Sequence, residues 1–186
     1  MKEFLKDKVK YIKEPYRLRV HLGYILIIAL AVTAEPIKPL FVTGSVAIGI
    51  GIIIRIWASG IVKKDEQLAV EGPYSLCRNP LYVGNILIGY GFGAINGQLW
   101  GVILLTAYLL AFYPYTIIRE NRKMKRLFGD EFEDYKDEVP TLIPRLTPYS
   151  TLGGWSFSQY FWENKDFVNE GLVVLFWGYT TYLYLG

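Results

Sequence analysis

Long apolar runs constrain this chain more than any other feature. Leu40 to Ile54 and Leu99 to Ile118 are almost unbroken apolar stretches, and the charges gather between such runs. About 20 consecutive apolar residues in helical form cross a bilayer, and a helix meets every backbone N–H and C=O need within its own segment. The chain is 52% hydrophobic and 16% aromatic over 186 residues, more apolar than a soluble domain of that length. The expected fold is therefore an all-α integral membrane protein with about five transmembrane helices.

Local punctuation sets the boundaries. A first run from Leu18 to Ala34 ends at Glu35-Pro36, and a second from Leu40 to about Ile61 carries Arg55 near its end, where a long side chain can snorkel to the interface. Pro80 suits the first turn of a third helix, which reaches about Ile95 and stops at the Asn96-Gly97 turn. So short a connection predicts a tight antiparallel hairpin with the fourth helix, Leu99 to Ile118, which runs on through Arg119 to Phe128 until Gly129 breaks it. A polar stretch with Pro140, Pro144 and Pro148 follows, then the aromatic segment Tyr149 to Trp162, which suits an interfacial belt. Gly171 to Leu185 is a fifth, shorter apolar run, and residues 1–17 mix lysines with apolar residues as an amphipathic or flexible surface segment does.

Charge sets the orientation and removes several function classes. Of 20 lysines and arginines only Lys38 falls on the far side of this layout, so the N-terminus and the large loops are expected in the cytoplasm, in a prokaryotic inner or plasma membrane. The net charge of +3 lies beside apolar runs and does not point to nucleic acid. One cysteine and one histidine exclude an internal disulfide and the usual zinc ligand sets, so no metal is expected. His21 reads as a packed or interfacial residue, and Cys77, with no histidine near it in sequence, as an unreactive neighbour of the loop. Met1 to Arg19 lacks a small-residue cleavage pattern, so the first helix is expected to persist.

Two segments carry candidate chemistry. In Gly72 to Gly84, glycine and prolines fix the backbone around Arg78-Asn79, just before a helix N-terminus that favours anions. The same residues also read as an ordinary start, with Asn79 as N-cap, Pro80 as first helical residue and Arg78 as an inside-positive charge. In Arg119 to Gly129, a helix places Ile117, Glu120, Met124, Leu127 and Phe128 on one stripe, with Arg119, Arg122, Lys123 and Arg126 elsewhere. A carboxylate on an apolar stripe needs a partner, either a ligand donor or a neighbouring cation such as Arg119 or Arg122. Gly84, Gly89, Gly91 and Gly93 suit close helix packing, or a ligand lying on that face.

Together these segments resemble the paired signatures of the isoprenylcysteine carboxyl methyltransferase and phospholipid methyltransferase superfamily. Gly72-Pro73-Tyr74 and then Arg78-Asn79-Pro80-Leu81-Tyr82-Val83-Gly84 are similar to the family's G-P-Y and R-(H or N)-P-x-Y-x-G. Glu120, Met124, Phe128-Gly129, Phe132, Tyr135, Val139-Pro140 and Leu142-Ile143-Pro144 resemble its E-E-to-V-P-x-L-I-P tail, and Arg55-Ile56-Trp57-Ala58 fits bacterial members. The match spans about 55–144 within a single domain, with 145–186 as interfacial segment and last helix. Asn79 stands where histidine is frequent, Asn121 replaces the second acid and Phe132 replaces tyrosine; an asparagine at 79 excludes acid–base work there.

The resemblance implies S-adenosylmethionine-dependent methyl transfer, with the cofactor in a cytoplasmic pocket and a lipid or hydrophobic acceptor arriving from the bilayer. It implies cofactor contacts from Tyr74, Arg78, Asn79, Pro80, Tyr82, Gly84, Glu120 and Asn121, and an orienting role for Arg119 or Arg55 toward an acceptor, a carboxylate first with amine and thiol open. Two other classes stand beside it. A membrane lipid or enone reductase would use NADPH, for which the signature loop lacks an additional Arg/Lys cluster, and a non-catalytic membrane scaffold would account for Asn79 and Asn121.

Overall fold

The computed structural model describes residues 18–63 and 66–186, so the expected surface segment 1–17 lies outside the described residues. Five α-helices follow in order: α1 Leu18–Val32, α2 Lys38–Ser59, α3 Pro80–Asn96, α4 Leu99–Glu138 and α5 Phe167–Leu185. A 3-10 turn spans Gly72–Ser75 and a π-helical turn Gln159–Asn164, and no strand occurs among the described residues. α2 and α4 are long and apolar enough to cross a membrane, and α1 is a shorter apolar helix.

The expected stops hold. α1 ends before Pro36, α2 starts with Pro39 in its first turn, and α3 closes on Gly97 in the left-handed region at φ 75°. The α4 hydrogen-bond ladder contains Pro114 and is broken at Gly129, whose φ of 55° and ψ of −126° favour glycine. Two boundaries differ from expectation. The polar stretch beyond Gly129 is helical to Glu138, because Phe132, Tyr135 and Val139 bury one face of it. α5 begins at Phe167, ahead of the apolar run at Gly171, because Asp166 and Glu170 are drawn inside.

The centre of the molecule is a glycine contact between α2 and α3. A Cβ on Gly44 would lie 2.5 Å from the Gly91 carbonyl, and one on Gly51 would lie 2.7 Å from the Gly84 carbonyl. Heptad spacing on each helix, 44 with 51 and 84 with 91, keeps the two crossings on one seam. Gly89 and Gly93 turn the other way, onto Leu105 and Val102 of α4, so the hairpin forms on a different glycine pair. Ile48, Phe92 and Ile95 fill the core. Val42, Val46, Ile50 and Ile53 stand outward along α2, and Ile103, Leu104 and Leu110 along α4, while Asn96, Ser59 and Thr180 are sealed within. Apolar outside and polar inside is the distribution a hydrocarbon solvent selects.

Candidate functional site

A zipper of hydrogen bonds joins the two signature segments. Arg78 N–H donates to the Pro140 carbonyl at 2.9 Å, Arg145 N–H to Leu76 at 2.9 Å, Tyr149 N–H to Ser75 at 3.0 Å and Gly72 N–H to Thr151 at 2.8 Å. Side chains add to it. Arg78 Nη2 donates to Thr141 Oγ1 at 2.6 Å, Asn79 Nδ2 to the Thr141 carbonyl at 3.0 Å, and the Tyr135 hydroxyl to the Tyr74 carbonyl at 2.7 Å. Asn79 is the residue preceding α3, as the ordinary reading has it, yet its side chain does not cap the helix and holds the tail instead. Gly72 turns the loop at φ 55°, with Ile61 and Trp57 filling the place of a side chain.

This zipper leaves donors unmet. Arg78 Nε and Nη1 and the Tyr74 hydroxyl are buried without a hydrogen-bond partner among the described residues. Buried donors rarely go unpaired, and an unpaired guanidinium is costly. Burial lowers the Arg78 pKa, and nearby Tyr135, Asp137 and Glu133 pull it back up. Burial likewise pushes the Tyr74 hydroxyl up, with Tyr135, Asp166 and Glu120 adding smaller pushes. Cys77, sealed beside them, is pushed by burial to about 11, the state of an unreactive thiol.

Glu120, the candidate acid of the second segment, meets the same end of α3. Glu120 Oε1 accepts the Tyr82 hydroxyl at 2.7 Å, so the carboxylate on the apolar stripe has a protein donor one helical turn from the Arg78 loop. Arg19 Nη1 donates to the Tyr82 oxygen at 3.3 Å, and its guanidinium lies 5.6 Å from the Tyr82 ring centre. Tyr113 sets its ring edge-on to Tyr82 at 5.0 Å. Ile117, Met124 and Phe128 face inward with Glu120, whereas Leu127, at 47% exposure, points away from the stripe expected of it. Arg119 lines a groove of about 200 Å³ with Leu18, Arg19, Phe112 and Tyr115, and Asn121 is half-buried one position beyond Glu120. His21 is exposed.

Two predicted residues have other neighbours. The place of a Gly84 side chain is taken by the Gly51 carbonyl and the Arg55 stem, so that position serves helix contact. Arg55 does not snorkel. It is buried, with Nε on Glu170 Oε1 at 2.8 Å, Nη1 on Asn85 Oδ1 at 2.6 Å and Nη2 3.6 Å from Asp166 Oδ1. The physical reason is that two buried acids of α5 require a cation. Sequence reasoning missed Thr141, Arg19 and Tyr135 as partners. Thr141 lies at a variable place inside the tail signature, and only the fold brings it to Arg78.

Comparison with known proteins gives consistent results. Residues 19–131 match the profile of the phospholipid methyltransferase family. The cobalt-zinc-cadmium resistance protein CzcN of Cupriavidus metallidurans is 33% identical over 146 residues, 74% of this chain and 67% of that protein. The nickel-cobalt-cadmium resistance protein NccN of Alcaligenes xylosoxydans is 32% identical over 58% of this chain, and the match spans about half of that protein, 51%. The protein-S-isoprenylcysteine O-methyltransferase of Schizosaccharomyces pombe is 32% identical over 83 residues, 45% of this chain and 35% of the yeast protein. No solved structure matches.

Proposed function

The chain belongs to the phospholipid methyltransferase family, and on that premise we propose that it transfers a methyl group from S-adenosylmethionine to a lipid or other hydrophobic acceptor at the cytoplasmic membrane face. The observation that carries this reading is the pair of buried, unmet donors on Arg78, Nε and Nη1. They leave a cationic guanidinium with an open N–H on each of two edges, and a carboxylate, which S-adenosylmethionine carries on its methionine end, is an anion such a group binds. The Tyr74 hydroxyl is a third open hydrogen-bonding group of the same loop.

When bound, the cofactor supplies an electrophilic methyl carbon on a sulfonium. The residues here bind and align. Arg78 holds the carboxylate, Tyr74, Asn79 and Tyr82 meet polar groups of the cofactor, and Glu120, already oriented by Tyr82, accepts from ribose hydroxyls or the amino group. Asn121 adds a polar group at the edge, and Pro80 and Gly84 shape the start of α3. Arg119, at the groove, orients the acceptor. Arg55 has all three guanidinium nitrogens engaged, so it positions α3 and α5 rather than the acceptor. Alignment and exclusion of water are what a direct displacement at carbon demands of a protein. α1 to α5 all cross the bilayer in this reading, with the zipper on the cytoplasmic side and α5 crossing from about Gly171.

The test is transfer of radiolabelled methyl from S-adenosylmethionine into an organic-extractable product by protein in nanodiscs of host lipid. Label released as volatile methanol by mild base identifies a carboxylate acceptor; base-stable label identifies an amine or thiol. No transfer of label, with NADPH binding in its place, would contradict the proposal.

A further inference from the structure

Where α2, α3 and α5 meet, a cluster of charge is sealed inside the bundle. Asp166 and Glu170 lie four residues apart at the start of α5, on one face, and are 8% and 5% exposed. Arg55 from α2 spends Nε on Glu170, Nη2 toward Asp166 and Nη1 on Asn85 of α3. Asn169 Nδ2 donates to Asp166 Oδ1 at 3.1 Å, and the Tyr24 hydroxyl of α1 donates to Asn169 Oδ1. Tyr160 of the π-helical turn feels Glu170, Asp166 and Arg55 electrostatically, and Tyr74 of the loop feels Asp166. Among the described residues, Arg55 is the cation in contact with the pair. Asp166 Oδ2 and Glu170 Oε2 are buried with no hydrogen-bond partner among the described residues.

The charges do not balance. Two carboxylates against one guanidinium leave a net negative charge in a sealed site, which burial penalises steeply. Both open atoms of the pair are acceptors and the excess charge is negative, so the missing complement is a donor carrying positive charge. Both open oxygens are closed to solvent, which leaves room for the smallest such donor. We propose that the Asp166–Glu170 pair is a proton-binding site: one of the two carboxyls takes a proton from water on folding, leaving Arg55 opposite a single carboxylate. The proton neutralises the cluster and holds the first turn of α5 against α2 and α3. Its loss restores the second negative charge and loosens α5.

Infrared spectroscopy of the intact protein in detergent reads this directly, through the carbonyl stretch of a protonated carboxylic acid. At about pH 7, where an ordinary aspartate or glutamate is ionised, the wild type shows that band. Asp166→Asn and Glu170→Gln each abolish it, because the remaining acid then pairs with Arg55 as a carboxylate. The linkage sign is fixed. An acid that keeps its proton when folded, but loses it above about pH 4.3 when unfolded, stabilises the fold at low pH and ceases to as pH rises through its folded value. The melting temperature of the wild type therefore falls with rising pH, and Glu170→Gln flattens that slope. A wild type without the band, or a band that survives in either variant, overturns the proposal. If a variant does not fold, disappearance of the wild-type band together with the fall in melting temperature on alkalinisation supports it, and a band insensitive to pH overturns it.

Discussion

Two contacts in this molecule join residues far apart in sequence, and they are built on opposite terms. α2 and α3 meet backbone on backbone at Gly44 with Gly91 and Gly51 with Gly84, where carbonyls, isoleucine side chains and the apolar stem of Arg55 fill the crossings. The Gly72–Asn79 loop and the Val139–Thr151 tail meet through hydrogen bonds, and that contact leaves Arg78 Nε, Arg78 Nη1 and the Tyr74 hydroxyl unmet. A seam that uses all its groups is a scaffold. A contact that orders a guanidinium and then leaves two of its nitrogens open is arranged for a ligand, because folding alone gains nothing from burying them.

The largest expected effect falls on the seam. Gly91→Leu drives a side chain into the Gly44 carbonyl, 2.7 Å from the Cβ position, and into Ile48, and α2 cannot yield without leaving the core. Overpacking of this kind costs about 1–3 kcal/mol or more. Size-exclusion chromatography in detergent should show the monodisperse peak lost. Gly49→Leu, on the same helix α2 with nothing within 4 Å of its Cβ, should elute as the wild type. Equal behaviour of the two variants would remove the distinction between seam and surface.

Next in size is Arg78→Met, which keeps an unbranched stem but removes the guanidinium. A charge-assisted hydrogen bond of about 1.5–3 kcal/mol puts the loss of S-adenosylmethionine affinity at about tenfold to a hundredfold. The melting temperature should hardly change, since Thr141 loses only one bond. Glu120→Gln keeps shape and removes the charge, for a loss of about tenfold to a hundredfold with folding intact, read by calorimetry beside a melt. Unchanged binding with a lowered melt would make Glu120 a structural partner of Tyr82. The smallest effect is Tyr135→Phe, which removes the donor to the Tyr74 carbonyl and should cost about 1 kcal/mol, a fall of roughly 2–4 °C in melting temperature.

Helix ends were legible because their signals are local. Pro36, Pro39, Pro80, Gly97 and Gly129 each fix or break the backbone where they stand. The seam was not legible. Gly84 and Gly91 suggested close packing, but their matching to Gly51 and Gly44 is a register between helices that no single run encodes. Arg55 shows the same limit more sharply, since its hydrogen-bond partner Glu170 is 115 residues away and lies beyond the family signatures. At the candidate site Arg78, Asn79 and Tyr82 of the first signature stand at the start of α3, and Glu120 of the second meets Tyr82 there. The partners Thr141, Arg19 and Tyr135 depend on how the tail folds back, which spacing alone does not specify.

The central claim is that the open nitrogens of Arg78 hold the carboxylate of S-adenosylmethionine. Calorimetric titration of wild type and Arg78→Met in detergent, with S-adenosylmethionine and with its decarboxylated analogue, isolates that one contact. The wild type should prefer the carboxylated form at least tenfold, and Arg78→Met should bind both alike. Equal affinity of the wild type for the two, or a preference that survives in Arg78→Met, would contradict the claim.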